Sequence, residues 1–219
     1  MIIVQEVKTK KGMRTFADYP FRLYKDNPCY VPSFRSDEEN IADPKKNPNL
    51  EDSEIRCFLA YKDGRLAGRI AGIIQKKYNK VSGRRCIRFS RFDCIDDEQV
   101  AAALLKAVED YGREKGMDTI HGPWGFNDQD REGLLTYGFD RRATYCTNYN
   151  YPYYEKLVKS QGFTDESEWL EYDFVIPDKV DERIARIADR LKDKFKVREV
   201  ADDGPMRKLI KIYGRRAIA

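Results

Sequence analysis

The chain has 219 residues, of which 41 are Lys or Arg, 37 Asp or Glu, one His and five Cys. That length suits one ordinary domain, or one domain plus part of another. A single His excludes any site built from two or three histidines, and 11 Phe, 14 Tyr and 2 Trp are enough for a core although 36% of the residues are charged. The cysteines, at 29, 57, 86, 94 and 146, form no C-x-x-C pair, so no metal is expected and free thiols in a reducing compartment are. No apolar run approaches the roughly 20 residues that span a bilayer, and no signal-like apolar region opens the chain. The expectation is a cytoplasmic protein with no membrane role.

In chain order, residues 1–9 predict a first strand, and Arg14–Tyr24 and Asp37–Ile41 predict helices joined by the Pro-broken NPCYVPS. Cys57–Tyr61 and Leu66–Ile74 predict two strands around the tight turn Asp63-Gly64. Asn79–Gly83 predicts the next turn and Cys86–Ile95 a third strand of an antiparallel meander. In that strand Ile87 and Phe89 share one parity, whereas Phe92 and Cys94 share the other. One extra residue near Ser90-Arg91, a β-bulge, would produce this flip; a central strand buried on both faces would also tolerate it. Asp97–Lys115 is the clearest helix, with Ala101, Leu104, Leu105, Val108 and Tyr111 in one stripe, Asp96 as N-cap and Gly116 as terminator. A short strand Asp118–His121, an irregular stretch 129–150, a helix Pro152–Ser160 and a final strand Trp169–Ile176 complete the domain.

Charge is uneven. Residues 1–95 hold 20 basic and 12 acidic side chains, and residues 96–219 hold 21 and 25. Lys76, Lys77, Lys80, Arg84, Arg85, Arg88 and Arg91 form a run with no acid from Gln75 to Phe92. It reads either as the solvated flanks of a hairpin or as a site for phosphate or another anion.

The order of elements resembles the GNAT superfamily of acyl-CoA-dependent N-acyltransferases, an α+β fold with a mixed, mostly antiparallel central sheet flanked by helices. FLAYKDGRLAGRIAGII (58–74) resembles its second and third strands, residues 86–115 its bulged strand and long helix, and YYEKLVKSQGF (153–163) its closing helix. DNPCYVPSF, NPNLED, FDCIDDEQVAAALL, GPWGF, GLLTYGFD and YNYPYYEKL together resemble one poorly characterised bacterial branch, whose members look about twice this long. The resemblance implies acetyl-CoA or another acyl-CoA as co-substrate and a small-molecule or peptide amine as acceptor. It implies a pantetheine arm between splayed strands along Phe92, Cys94 and Ile95, and a pyrophosphate at the helix start, at Gln99, Val100 and Ala101. Of the family's phosphate signature only Ala101 fits, and Asp96, Asp97 and Glu98 place three negative charges where a pyrophosphate would dock. Tyr154 is the candidate acid for the departing thiolate, and Asp93 and His121 are candidate bases for the amine.

The sequence therefore predicts a GNAT-like domain over 1–176 and a helical extension over 177–219. Val180, Ile184, Ile187, Ala188, Leu191 and Phe195 give the extension an amphipathic helix, and residues 197–216 resemble the opening of a second such unit. Its apolar face needs a cover, from its own domain or from a second copy in a homodimer. Three functions compete: an N-acyltransferase, a GNAT-fold domain that has lost catalysis and binds a ligand or partner, and a nucleic-acid module using Lys76–Arg91. Nucleic acid is not the expected partner, because a net charge of +4 is modest for a dedicated binder.

Overall fold

The computed structural model describes residues 1–172, 174–192 and 194. It divides into two compact units, Met1–Glu166 and Ser167–Ala219. The first holds a five-stranded sheet in the order β1-β2-β3-β4-β5, with β1 (Ile2–Glu6), β2 (Ser53–Lys62), β3 (Arg65–Gln75), β4 (Cys86–Cys94) and β5 (Thr119–His121). Neighbours are antiparallel except β4 and β5, which are parallel. Asp63 (φ 49°) and Gly64 (φ 77°) both take the left-handed conformation that a two-residue hairpin turn demands.

Alternation along the strands builds two cores. Ile70, Ile74, Ile87 and Phe89 pack under α4 (Glu98–Glu114), whose stripe Ala101, Leu104, Leu105, Val108 and Tyr111 is buried as the spacing predicts. Leu59, Ala71 and Ile73 point to the other face, against Phe16 of α1 (Lys10–Leu23) and Ile41 beyond α2 (Arg35–Asn40). Glycines let α4 lie close on the sheet. A Cβ at Gly68 would stand 2.7 Å from Leu104 Cδ1 and 2.9 Å from Cys94 Cβ. Gly68→Ala is therefore expected to destabilise the domain by about 1–3 kcal/mol, measured by urea unfolding; an unchanged midpoint would mean that α4 yields without strain.

Several expectations need correction. Residues expected as the turn Asn79–Gly83 form a helix, α3 (Lys76–Ser82), which starts because the Gln75 side chain accepts from Tyr78 N–H and stops at Gly83 in the left-handed region. The N-cap of α4 is Asp97, not Asp96: its carboxylate accepts from Val100 N–H at 3.1 Å. In the second unit the described residues of Trp169–Ile176 belong to no strand, because alternation does not itself supply a pairing edge; their large side chains are exposed. The amphipathic helix is α6 (Glu182–Leu191), and Phe195 and the stretch 197–216 lie outside the described residues. Among the described residues no helix is long and apolar enough to cross a membrane.

Candidate functional site

The bulge lies where the parity flip places it. Arg69 pairs with Asp93 and Ala71 with Ser90, so Ile70 alone faces both Arg91 and Phe92. Arg91 takes φ 50°. The extra residue keeps Ile87, Phe89, Phe92 and Cys94 in one core and turns Arg91 and Asp93 to the α1–α2 face, where they bond Glu38 and Arg69. β5 follows β4 only from Cys86 to Arg88, and one further bond, Trp124 N–H to Phe89 C=O at 2.8 Å, ends the contact. Beyond it β4 faces α5 (Tyr153–Lys159) instead of a strand. Three antiparallel strands, a bulge in the third, a long helix and a parallel strand that parts from the bulged one define the topology. This is the mixed, mostly antiparallel sheet flanked by helices that the GNAT resemblance implies.

The parting is not an open slot, because phenols fill it. Tyr153 O–H donates to Cys94 C=O at 2.8 Å, and Cys94 N–H donates to the Tyr154 oxygen at 2.9 Å. Tyr154 and Cys94 are fully buried and Phe92 is buried, while Ile95 lies at the surface. Burial pushes the Tyr154 hydroxyl well above the ordinary tyrosine range, and the charge of Asp93 adds to the shift. At the start of α4 the Asp97 carboxylate caps the helix and pairs with Lys62, which holds its pKa below the ordinary aspartate value. Val100 and Ala101 are buried in the core, and Gln99 is exposed. The helix dipole is thus already answered by the chain's own acid.

Asp93 sits in a buried ionic network. Arg69 Nε donates to Asp93 Oδ2 at 2.7 Å and its Nη1 to Glu38 Oε2 at 2.8 Å. Arg91 reaches Glu38 at 3.4 Å and Asp130 at 3.2 Å. Burial alone would raise the Glu38 pKa, but Arg69 and Arg91 outweigh it and leave it lowered. Tyr24, at the end of α1, joins this network to α5: its hydroxyl is 3.1 Å from Asp93 Oδ1 and 3.1 Å from the Tyr154 hydroxyl. The structure thus brings Asp93 and Tyr154 together through a residue that no motif marks.

His121 is elsewhere. It stands in register with Arg88, five residues before Asp93, and its Nδ1 lies 2.7 Å from Glu166 Oε2. It opens on a separate cleft of about 430 Å³ that also includes Arg84, Arg85, Asp118 and Thr119. The basic run does not act as one anion surface. Arg88 is buried, with its guanidinium 3.6 Å from the Trp124 ring centre and 4.7 Å from that of Tyr78, and donates to the carbonyls of Gly125 and Phe126. Lys76, Arg84, Arg85 and Arg91 each pair with an acid. The run is thus divided between inward-facing Arg88 and the exposed Lys76, Arg84 and Arg85.

No family model matches the chain. Protein YghO of Escherichia coli (strain K12) is 30% identical over 162 residues, covering 74% of this chain and 41% of that protein. The bacterial ceramide synthase of Caulobacter vibrioides is 30% identical over 167 residues, covering 76% and 44%. The chain spans less than half the length of either relative. Among solved structures, a predicted acetyltransferase with acetyl-CoA from Clostridium acetobutylicum aligns with a TM-score of 0.48 at 14% identity, over 79% of this chain and 96% of that one.

Proposed function

We propose that this chain is the GNAT-fold part of an acyl-CoA-dependent N-acyltransferase, moving an acyl group from a CoA thioester to an amine nitrogen. The observation that carries the reading is the parting of β4 from β5 after the Arg91 bulge, which leaves the backbone N–H and C=O of Cys94 without a strand partner. That pair is what an extended amide-bearing arm would bond. It fits such an arm only once Tyr153 and Tyr154 have moved, and the Asp97-capped helix start does not fit a pyrophosphate. Asp93 is the candidate base near this edge and Tyr154 the candidate acid, with His121 a base only for a substrate bound in its own cleft. The acyltransferase-like domain expected over 1–176 has its compact part at Met1–Glu166, and in this reading 177–219 lead into a second GNAT-like unit, as the greater length of the relatives supports.

The relative named a bacterial ceramide synthase guides the choice of ligands, since a ceramide is the amide of a fatty acid and a long-chain amino alcohol. The test is calorimetric titration of the full chain with acetyl-CoA and palmitoyl-CoA, with amide exchange followed at residues 92–95. Saturation below about 1 mM with new protection there is the expected result. The second reading, a domain that has lost acyl transfer and binds a ligand or partner, is favoured by the double occupancy of Cys94 by phenols. Absence of saturation with either thioester decides for it.

A further inference from the structure

Tyr24 lies where α1 ends, is 2% exposed, and is held by Tyr30 stacked at 4.3 Å and Tyr151 tilted at 5.0 Å between ring centres. Among the described residues its hydroxyl touches two polar side chains, Asp93 and Tyr154. The Tyr154 hydroxyl in turn lies 2.9 Å from Cys94 N and 3.2 Å from Cys94 O. We propose that Tyr24 is a positioning residue that makes Asp93 and Tyr154 one hydrogen-bonded unit, so that a proton on Asp93 decides whether Tyr154 holds its own proton away from the Cys94 edge or turns it onto that edge. The use of this device rests on the transferase reading of the edge; its existence does not.

An ionised carboxylate only accepts, and a hydroxyl carries one proton. With Asp93 ionised, Tyr24 donates to Asp93 Oδ1, the Tyr24 oxygen accepts from Tyr154, and the Tyr154 oxygen is left to accept Cys94 N–H. Cys94 C=O is then served by Tyr153. With Asp93 protonated the chain reverses: Asp93 donates to Tyr24, Tyr24 to Tyr154, and Tyr154 to Cys94 C=O. Two hydroxyl rotations separate the states, and every contact that each requires is within 3.2 Å. If Tyr154 then gives its proton to a group leaving beside Cys94, three O–H bonds break, at Asp93, Tyr24 and Tyr154. Tyr24 and Tyr154 are re-protonated from behind, and one proton in at Asp93 equals one out. The charged groups around Asp93 are Arg69 from β3, which donates to Oδ2, and Glu38 of α2 on its far side, with Tyr30 stacked on Tyr24.

Asp93→Asn tests this directly. Arg69 fixes the amide oxygen, so the amide N–H₂ faces Tyr24 and imitates the protonated acid. The readout is the Cys94 amide resonance in the [¹⁵N]cysteine-labelled full chain, identified by its loss in Cys94→Ala. The expected result is a shift on the order of tenths of a ppm for Asp93→Asn, falling to less than about a third of that when Tyr24→Phe is also present, because the chain is cut. An equal shift in both backgrounds, or none in either, overturns the proposal. Should Asp93→Asn not fold, acid titration of the wild type and of Tyr24→Phe gives the same comparison, with the same titration curve in both as the refuting outcome. Failure of acyl-CoA to bind sinks the transferase reading and leaves this coupling intact, whereas uncoupled resonances with acyl-CoA bound sink the role of Tyr24 alone.

Discussion

Arg69→Met is expected to cost the domain about 3–5 kcal/mol, the penalty for stranding a buried charge whose partner has been removed. Asp93 would lose its cation and Glu38 its shorter one. Arg69, Glu38 and Asp93 are each at least 92% buried, and Arg69 bridges the two carboxylates at 2.8 and 2.7 Å. Arg91 can still serve Glu38, at 3.4 Å, but among the described residues no other cation bonds Asp93. Urea unfolding at pH 7 measures the loss; a change below about 1 kcal/mol would show that water reaches the network and screens it. Substituting all three residues with apolar ones of similar volume is expected to restore much of the stability, since what destabilises is the unpaired charge and not the missing bridge. The same network sets an acid limit. Glu38 has its pKa lowered from the ordinary 4.5 in the folded state, so its contribution is present above 4.5 and is lost as pH falls from there through the lowered value. Arg69→Met should flatten that part of the stability curve.

How much of this was legible depended on whether the signal was local. The parity flip between Phe89 and Phe92 located the bulge, because a strand's period of two admits few other readings once both sets are buried in one core. The stripe on α4 was equally plain. The basic run was not, because charge along a sequence does not reveal which arginines face inward. Arg88 and Arg91 lie on β4, where alternation buries the first and the bulge leaves the second half-buried, while Lys76 and Arg85 are at the surface. Arg69 offered a fainter sign: it is a charge next in parity to Ala71 and Ile73, residues on an inward face. Tyr24 gave none, since its partners are 69 and 130 residues away. The N-cap differed by one position because Asp96 and Asp97 are chemically alike, and Lys62 on β2 selects the second.

Tyr154→Ala is expected to cost about 3–5 kcal/mol and Tyr154→Phe about 1–3 kcal/mol, both by urea unfolding, and the difference separates two roles of one side chain. The alanine removes a fully buried ring that packs edge-on against Phe92 at 5.5 Å between centres and leaves a cavity in the main core. The phenylalanine keeps the ring and removes only the oxygen that accepts from Cys94 N–H. That amide is then buried without an acceptor, which is why a single atom has a measurable cost. The same substitution bears on function with the opposite sign. In the proposed transferase, phenols and an acyl-CoA arm would compete for one strand edge, so removing a phenol while keeping the fold should raise acyl-CoA affinity several-fold even as stability falls. The Asp97-capped helix start is common to both proteins and cannot produce that difference. A Tyr154→Phe protein that is less stable but binds acetyl-CoA no better than the wild type would mean that the parting of β4 from β5 is structural in this domain, closed by phenols and not waiting for a ligand.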